Sequence, residues 1–178
     1  MKICLLTQLS LFLHKISFVR LPGYFFRSFY NIAIMPQDKI KDIKHHFMAF
    51  RNGIVSDTLR QAGMPYHVIF GLQLPQLAEI ARSFGPDLSL ARSLWDDMNV
   101  RESRLLACYL FPKEEVSQEL ALSLAESVRT PEEADILCFR LLRYLPFASP
   151  LADTLSASQD SNVAYCAKAL RRNLDAMK

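Results

Sequence analysis

The chain has 178 residues, 51% hydrophobic and 22% charged, which suits one domain with a single core and excludes a disordered segment. Its net charge of +3 is not spread evenly. Of the 21 basic residues, Lys2, Lys15, Arg20 and Arg27 fall in residues 1–34, where there is no acid, so the remainder holds 17 basic against 18 acidic groups, a net of −1. That balance excludes nucleic-acid binding by bulk attraction; cations would have to gather on one face.

Residues 1–34 form an N-terminal extension unlike the rest. The apolar run from Ile3 to Leu13 is broken by Thr7, Gln8 and Ser10. It is too short for a span of ~20 apolar residues, and no small-x-small cleavage site follows it. The simplest reading is an upstream extension, with Met35 as the working start. A targeting segment is the alternative.

Residues 35–178 read as helix after helix, with no alternating apolar–polar runs to build a sheet. From Gln37 to Arg51, Ile40, Ile43, Phe47 and Phe50 recur at three- and four-residue steps. His45 and His46 are adjacent there and point apart, so they cannot share a metal. A second helix, Ile54 to Ala62, stops at Gly63 and Pro65. Residues 66–74 connect to a helix opened by Pro75 and ended by Gly85-Pro86. Asp87 or Ser89 caps the next helix, which carries Trp95, the sole tryptophan and an expected core residue. Asn99 to Phe111 follows, with Arg101, Glu102 and Arg104 in its first turns and Pro112 behind it. Another helix runs from Glu114 to Ser127. Thr130-Pro131-Glu132-Glu133 is a strong start signal for a helix reaching Pro146. Ser149-Pro150 opens the next. The last is capped by Asp160, Ser161 or Asn162 and ends with Lys168, Arg171 and Arg172.

The pattern LAxxL starts at Leu90, Leu120 and Leu151, 30 and then 31 residues apart. Each copy precedes a second apolar helix with one cysteine: Cys108, Cys138 and Cys166. One helical hairpin cannot bury its own apolar face, so a fixed period of this size predicts stacked pairs. The expected fold is all-α, a HEAT/armadillo-like α-solenoid of stacked antiparallel helix pairs with a concave face. The three cysteines are expected to be buried small hydrophobes.

Other chemistries find no residues. The four histidines all precede residue 68, so no Ser-His-Asp set can be built. Ligand spacings for a metal and a Gly-rich phosphate loop are both missing. No cofactor and no metal are expected, and no membrane span in residues 35–178. The cytoplasm is the expected location.

The stretch from Phe70 to Phe111 resembles the DNA alkylation repair family of HEAT-repeat alkylpurine DNA glycosylases. The pieces that carry the resemblance are FGLQLPQLAEIAR, the Leu-Trp ending LSLARSLWDD, and the Glu-x-Arg of VRESRLLACYL. A weaker likeness continues to Leu174. The resemblance implies excision of a cationic N-alkylpurine without flipping the base. Tryptophans would attract the charged base, an aspartate would stabilise the oxocarbenium-like sugar, and arginines would hold phosphates. The family's aromatic–Asp–x–x–Asp run falls on Ala134 to Cys138. The first Asp is kept as Asp135, and the catalytic place is Cys138. A neutral thiol offers a developing cation no charge. The family's paired arginines fall on Ala167 and Lys168.

Three readings follow. In the first, the chain binds double-stranded DNA and its glycosylase site is degraded. Arg140, Arg143, Lys168, Arg171 and Arg172 then face phosphates from the concave side. In the second it is an active alkylpurine glycosylase, with Asp135 as the one nearby acid able to serve. In the third it is a helical-repeat module for a protein partner.

Overall fold

A computed structural model describes residues 36–177. The readings of residues 1–34 lie outside the described residues. Nine α-helices fill the described residues: α1 (Pro36–Ala49), α2 (Gly53–Gln61), α3 (Leu74–Phe84), α4 (Leu88–Trp95), α5 (Arg101–Leu110), α6 (Gln118–Glu126), α7 (Pro131–Arg140), α8 (Ala148–Ser156) and α9 (Ser161–Asp175). Two 3-10 turns, Lys113–Glu115 and Leu142–Tyr144, accompany them, and no strand occurs among the described residues. A single parallel bridge joins Val68 to Val100.

Side-chain caps set most starts. Asn52, Asp87, Ser117, Thr130 and Asp160 each accept from backbone N–H groups of the first turn they precede. Asp87 also takes Lys39 of α1 at 2.7 Å, so one carboxylate caps α4 and ties it to α1. The Leu90 N–H, and then Lys39, hold the Asp87 carboxyl below the ordinary carboxylate range.

Two elements differ from expectation. The helix expected from Glu114 begins at Gln118, because Ser117 supplies the cap and Lys113–Glu115 forms a separate 3-10 turn. The helix expected to run from Pro131 to Pro146 ends at Arg140. Leu141 leaves helical angles (φ −124°, ψ −69°), and Leu142–Tyr144 tightens into a 3-10 turn. Pro146 then keeps Leu145 extended at ψ 141°, which ends the 3-10 turn. The tightened turn still buries Leu141, Leu142 and Leu145.

Packing follows the repeat. Leu90, Ala91 and Leu94 of α4, Ala121 and Leu124 of α6, and Leu151, Ala152 and Leu155 of α8 are all buried. Cys108, Cys138 and Cys166 are buried on α5, α7 and α9. Helix α5 lies between α3 and α7, and α7 lies between α5 and α9. On the other side α4 backs α5, α8 backs α9, α1 packs on α4 and α6 on α8. One core runs through these helices from Ile43 to Leu170.

The connector between α2 and α3 is pinned rather than loose. Asn52 donates its N–H to Phe70 O at 2.8 Å, and Ser56 donates its hydroxyl to Ile69 O at 2.7 Å. Gly71 sits where the connector crosses this corner, with φ +81°. A Cβ there would run into the Asn52 carbonyl oxygen and lie 2.8 Å from Ser56 N. Gly71→Ala should therefore lower stability by about 2 kcal/mol or more, from left-handed strain plus the clash. Gly63→Ala, with φ +80° but open space around it, should cost about 1 kcal/mol. Urea midpoints of the two variants measure the difference, and equal destabilisation would contradict the close approach.

Candidate nucleic-acid interface

The charged residues at the start of α5, Arg101, Glu102 and Arg104, are buried together with Glu133 of α7. Arg104 and Glu133 are each 0% exposed. The Arg104 guanidinium grips Glu133 with two bonds, Nε at 2.7 Å and Nη2 at 2.8 Å. It donates further to Trp95 O and Ser127 O, both at 2.7 Å, and lies 3.8 Å from the Trp95 ring centroid. Glu133 also accepts from the Tyr66 hydroxyl and from Arg129 N at 2.8 Å. Burial and the neighbouring Glu133 push the Tyr66 hydroxyl up, so it stays a donor.

Arg101 makes the parallel connection one turn earlier. It holds Glu132 through two bonds of 2.8 and 2.5 Å, and Glu102 at 2.8 Å. Glu102 in turn accepts from Phe70 N and Gly71 N, each at 3.0 Å. Glu132 and Glu133 stand in the first turn of α7, where the helix dipole favours negative charge. The Glu-x-Arg motif thus ties α5 to α7 and to the connector, and no substrate can reach it. Trp95 is core as expected, its indole N–H donating to Ser127 Oγ at 2.9 Å.

The sequence-predicted site residues separate into three places. Cys138 is fully buried against Cys166, with the sulfurs 3.6 Å apart. The Cys166 sulfur, and burial after it, push the Cys138 thiol well up, so it remains neutral. Asp135 is on the partly exposed side of α7 and accepts from Tyr165 Oη at 3.0 Å and from Arg172 Nη2 at 2.8 Å. Arg171 turns the other way, to Asp153 of α8 at 2.6 Å and Ser156 Oγ at 3.1 Å. Lys168 is exposed and pairs with no acid among the described residues. Arg140 ends α7, and Arg143 follows in the 3-10 turn.

Around them gathers a surface that the spacing of basic residues alone did not reveal. Phe139 of α7 and Tyr144 of the 3-10 turn are each 43% exposed. The Arg143 guanidinium lies 3.9 Å from the Phe139 centroid and 4.7 Å from that of Tyr144. Lys113, just after α5, sits 3.5 Å over Tyr144. Arg140 lies 4.3 Å over Tyr109 of α5 and 5.2 Å from Phe139. Cation–ring pairs of this kind contribute ~0.5–1 kcal/mol at exposed sites. An open groove of about 550 Å³ continues the surface between α3, α5 and α7, lined by Arg82, Tyr109 and Arg140 among others. Lys113, Arg140 and Arg143 have no carboxylate partner among the described residues. Basic residues interleaved with aromatics in Phe139–Tyr144, FRLLRY, were the available sequence signal. No cluster of three or more potential metal ligands occurs among the described residues, and no described helix is long and apolar enough to cross a membrane.

This is an all-helical, repeat-patterned domain with one cation-rich aromatic surface. The family described as DNA alkylation repair enzyme matches residues 43–164, most of the chain, and the chain belongs to that family. No curated protein and no solved structure matches it significantly.

Removing one partner of the buried pair should cost far more than removing an exposed one. Arg104→Ala leaves Glu133 charged and without its counter-ion, an expected destabilisation of about 3–5 kcal/mol. Arg172→Ala removes an exposed bond to Asp135 and should leave the unfolding midpoint nearly unchanged. Urea unfolding of both variants, followed by circular dichroism, reads the contrast.

Proposed function

We propose that this chain is a DNA-binding, HEAT-like member of the family whose glycosylase site is degraded. The observation that carries the reading is the separation of charge along α7. Its N-terminal acids, Glu132, Glu133 and Asp135, are each held by an arginine. Arg140 at its C-terminal end, and Arg143 in the 3-10 turn that follows, pair with no acid among the described residues and are left for a polyanion.

The repeat geometry supports the solenoid in this reading. Four bonds between successive pairs span nearly one repeat each: Trp95 to Ser127, Arg101 to Glu132, Arg104 to Glu133 and Tyr165 to Asp135 are separated by 32, 31, 29 and 30 residues. Equivalent positions of successive pairs therefore touch, as stacking requires. Helices α3, α5, α7 and α9 form the row that the solenoid reading assigns to the concave side.

The loss of catalysis in this reading rests on Cys138. A buried neutral thiol meets no sugar and stabilises no cation. Three buried free thiols suit a reducing compartment such as the cytoplasm, which is part of the proposal. One observation favours the second reading, an active glycosylase. Asp135 presents its carboxylate on the same side of α7 as Phe139, one turn away, beside Tyr165. That arrangement places a charge near rings, although Arg172 already occupies the carboxylate.

Two measurements decide. Binding to short duplex DNA should weaken steeply with salt. The double variant Arg140→Ala, Arg143→Ala should flatten the log–log slope by about one for each phosphate no longer neutralised. No salt-dependent binding would remove the DNA reading and favour a protein partner. Release of methylated purines by the native chain should equal that of Asp135→Asn. Excision that disappears only in the variant would establish the glycosylase instead.

A further inference from the structure

We propose that the surface formed by Phe139, Tyr144, Lys113, Arg140 and Arg143 engages unpaired nucleotides, stacking bases on its rings, and prefers single-stranded to duplex DNA. The inference deepens the DNA-binding reading and rests on it. A duplex shows a protein its phosphates and groove edges and hides the faces of its bases. Cations alone would serve that target. Here the cations are built around two exposed rings, and a ring on a binding face gains most from a flat apolar partner. Bases freed from pairing supply one, worth ~1–3 kcal/mol per stacked base.

Four observations point the same way. Phe139 and Tyr144 rank among the few large apolar side chains left open to solvent. Arg143 lies against both rings, and Lys113 crosses the Tyr144 face. A phosphate between two stacked bases would therefore meet a cation beside each ring. The surface also has unused donors. Arg140 Nε, Arg143 Nε and Tyr109 Oη are buried without a hydrogen-bond partner. Buried polar atoms are normally hydrogen-bonded, so these three can take up a partner brought by a ligand. Finally, the groove beside Tyr109 and Arg140 has the size of a ligand-binding cleft, and Arg82 stands on its far side. The rings and groove share Arg140 and Tyr109, so a strand leaving the rings can follow the groove.

The test uses the full chain and three labelled probes at one moderate salt concentration, read by fluorescence anisotropy. The probes are a mixed-sequence single strand, the same sequence as a duplex, and an oligomer of abasic sugar-phosphates of equal length. The single strand should bind at least about tenfold tighter than either other probe. Phe139→Ala combined with Tyr144→Ala should bring the single strand to the affinity of the abasic probe and so remove that advantage. Phe139→Tyr should retain it. Both rings are surface groups, and a circular-dichroism melt confirms that each variant is folded. Equal binding of the single strand and the abasic probe would overturn stacking while leaving the DNA reading intact. An advantage untouched by the ring substitutions would overturn this surface as its source. No binding of any probe would sink both readings together.

Discussion

The fold depends on a single buried carboxylate. Glu133 gathers the Arg104 guanidinium, the Tyr66 hydroxyl and the Arg129 amide, and its own N–H goes to the Thr130 cap. Four segments meet at one charge: the connector before α3, α5, the turn after α6, and α7. Taking two ions out of water costs several kcal/mol each, and only near-complete hydrogen bonding offsets that cost. Arg104 meets the requirement with donors to Glu133, Trp95 and Ser127, while the indole face covers the guanidinium plane. The arrangement sets register more than it adds stability, because only one placement of α7 against α5 satisfies every donor.

From that constraint follows the distribution of charge over the surface. Glu132 and Glu133 are consumed at the start of α7, where the dipole favours them. Arg172 takes Asp135, and Asp153 takes Arg171. The cations without acidic partners then lie at the other end of α7, together with Lys113 beyond α5. A chain whose folded part is almost neutral by count thus carries a locally basic face. The break at Leu141 completes it, since the tightened turn sets Tyr144 beside Lys113 and within reach of Arg143.

Much of the architecture was legible in the residues. Helical spacing, the LAxxL period and the capping residues located the elements, because each is a local property of a few neighbouring positions. The cysteines read correctly as core for the same reason. The roles of Arg101, Glu102 and Arg104 were not legible locally. Their partners on α7 lie about one repeat downstream, and charged residues in a first turn read equally well as a solvated face. The acidic doublet Glu132-Glu133, one period after Arg101 and Arg104, was the signal that joined them. Basic residues at helical spacing suggested one patch. In three dimensions Arg171 turns to α8 and Arg172 to α7, since neighbours on a helix differ by about 100° in direction. Phe139 and Tyr144 were not legible because an exposed ring has no signature until its surroundings are known.

The recurring reach of the bonds between successive pairs also bears on how the chain acquires its fold. Four of these closures span 29 to 32 residues, while those of Lys39 with Asp87 and of Tyr66 with Glu133 reach across 48 and 67. Loop-closure entropy grows only with the logarithm of loop length, so the two longer closures cost little more than the others. Order can therefore pass along the stack largely from one helix pair to the next.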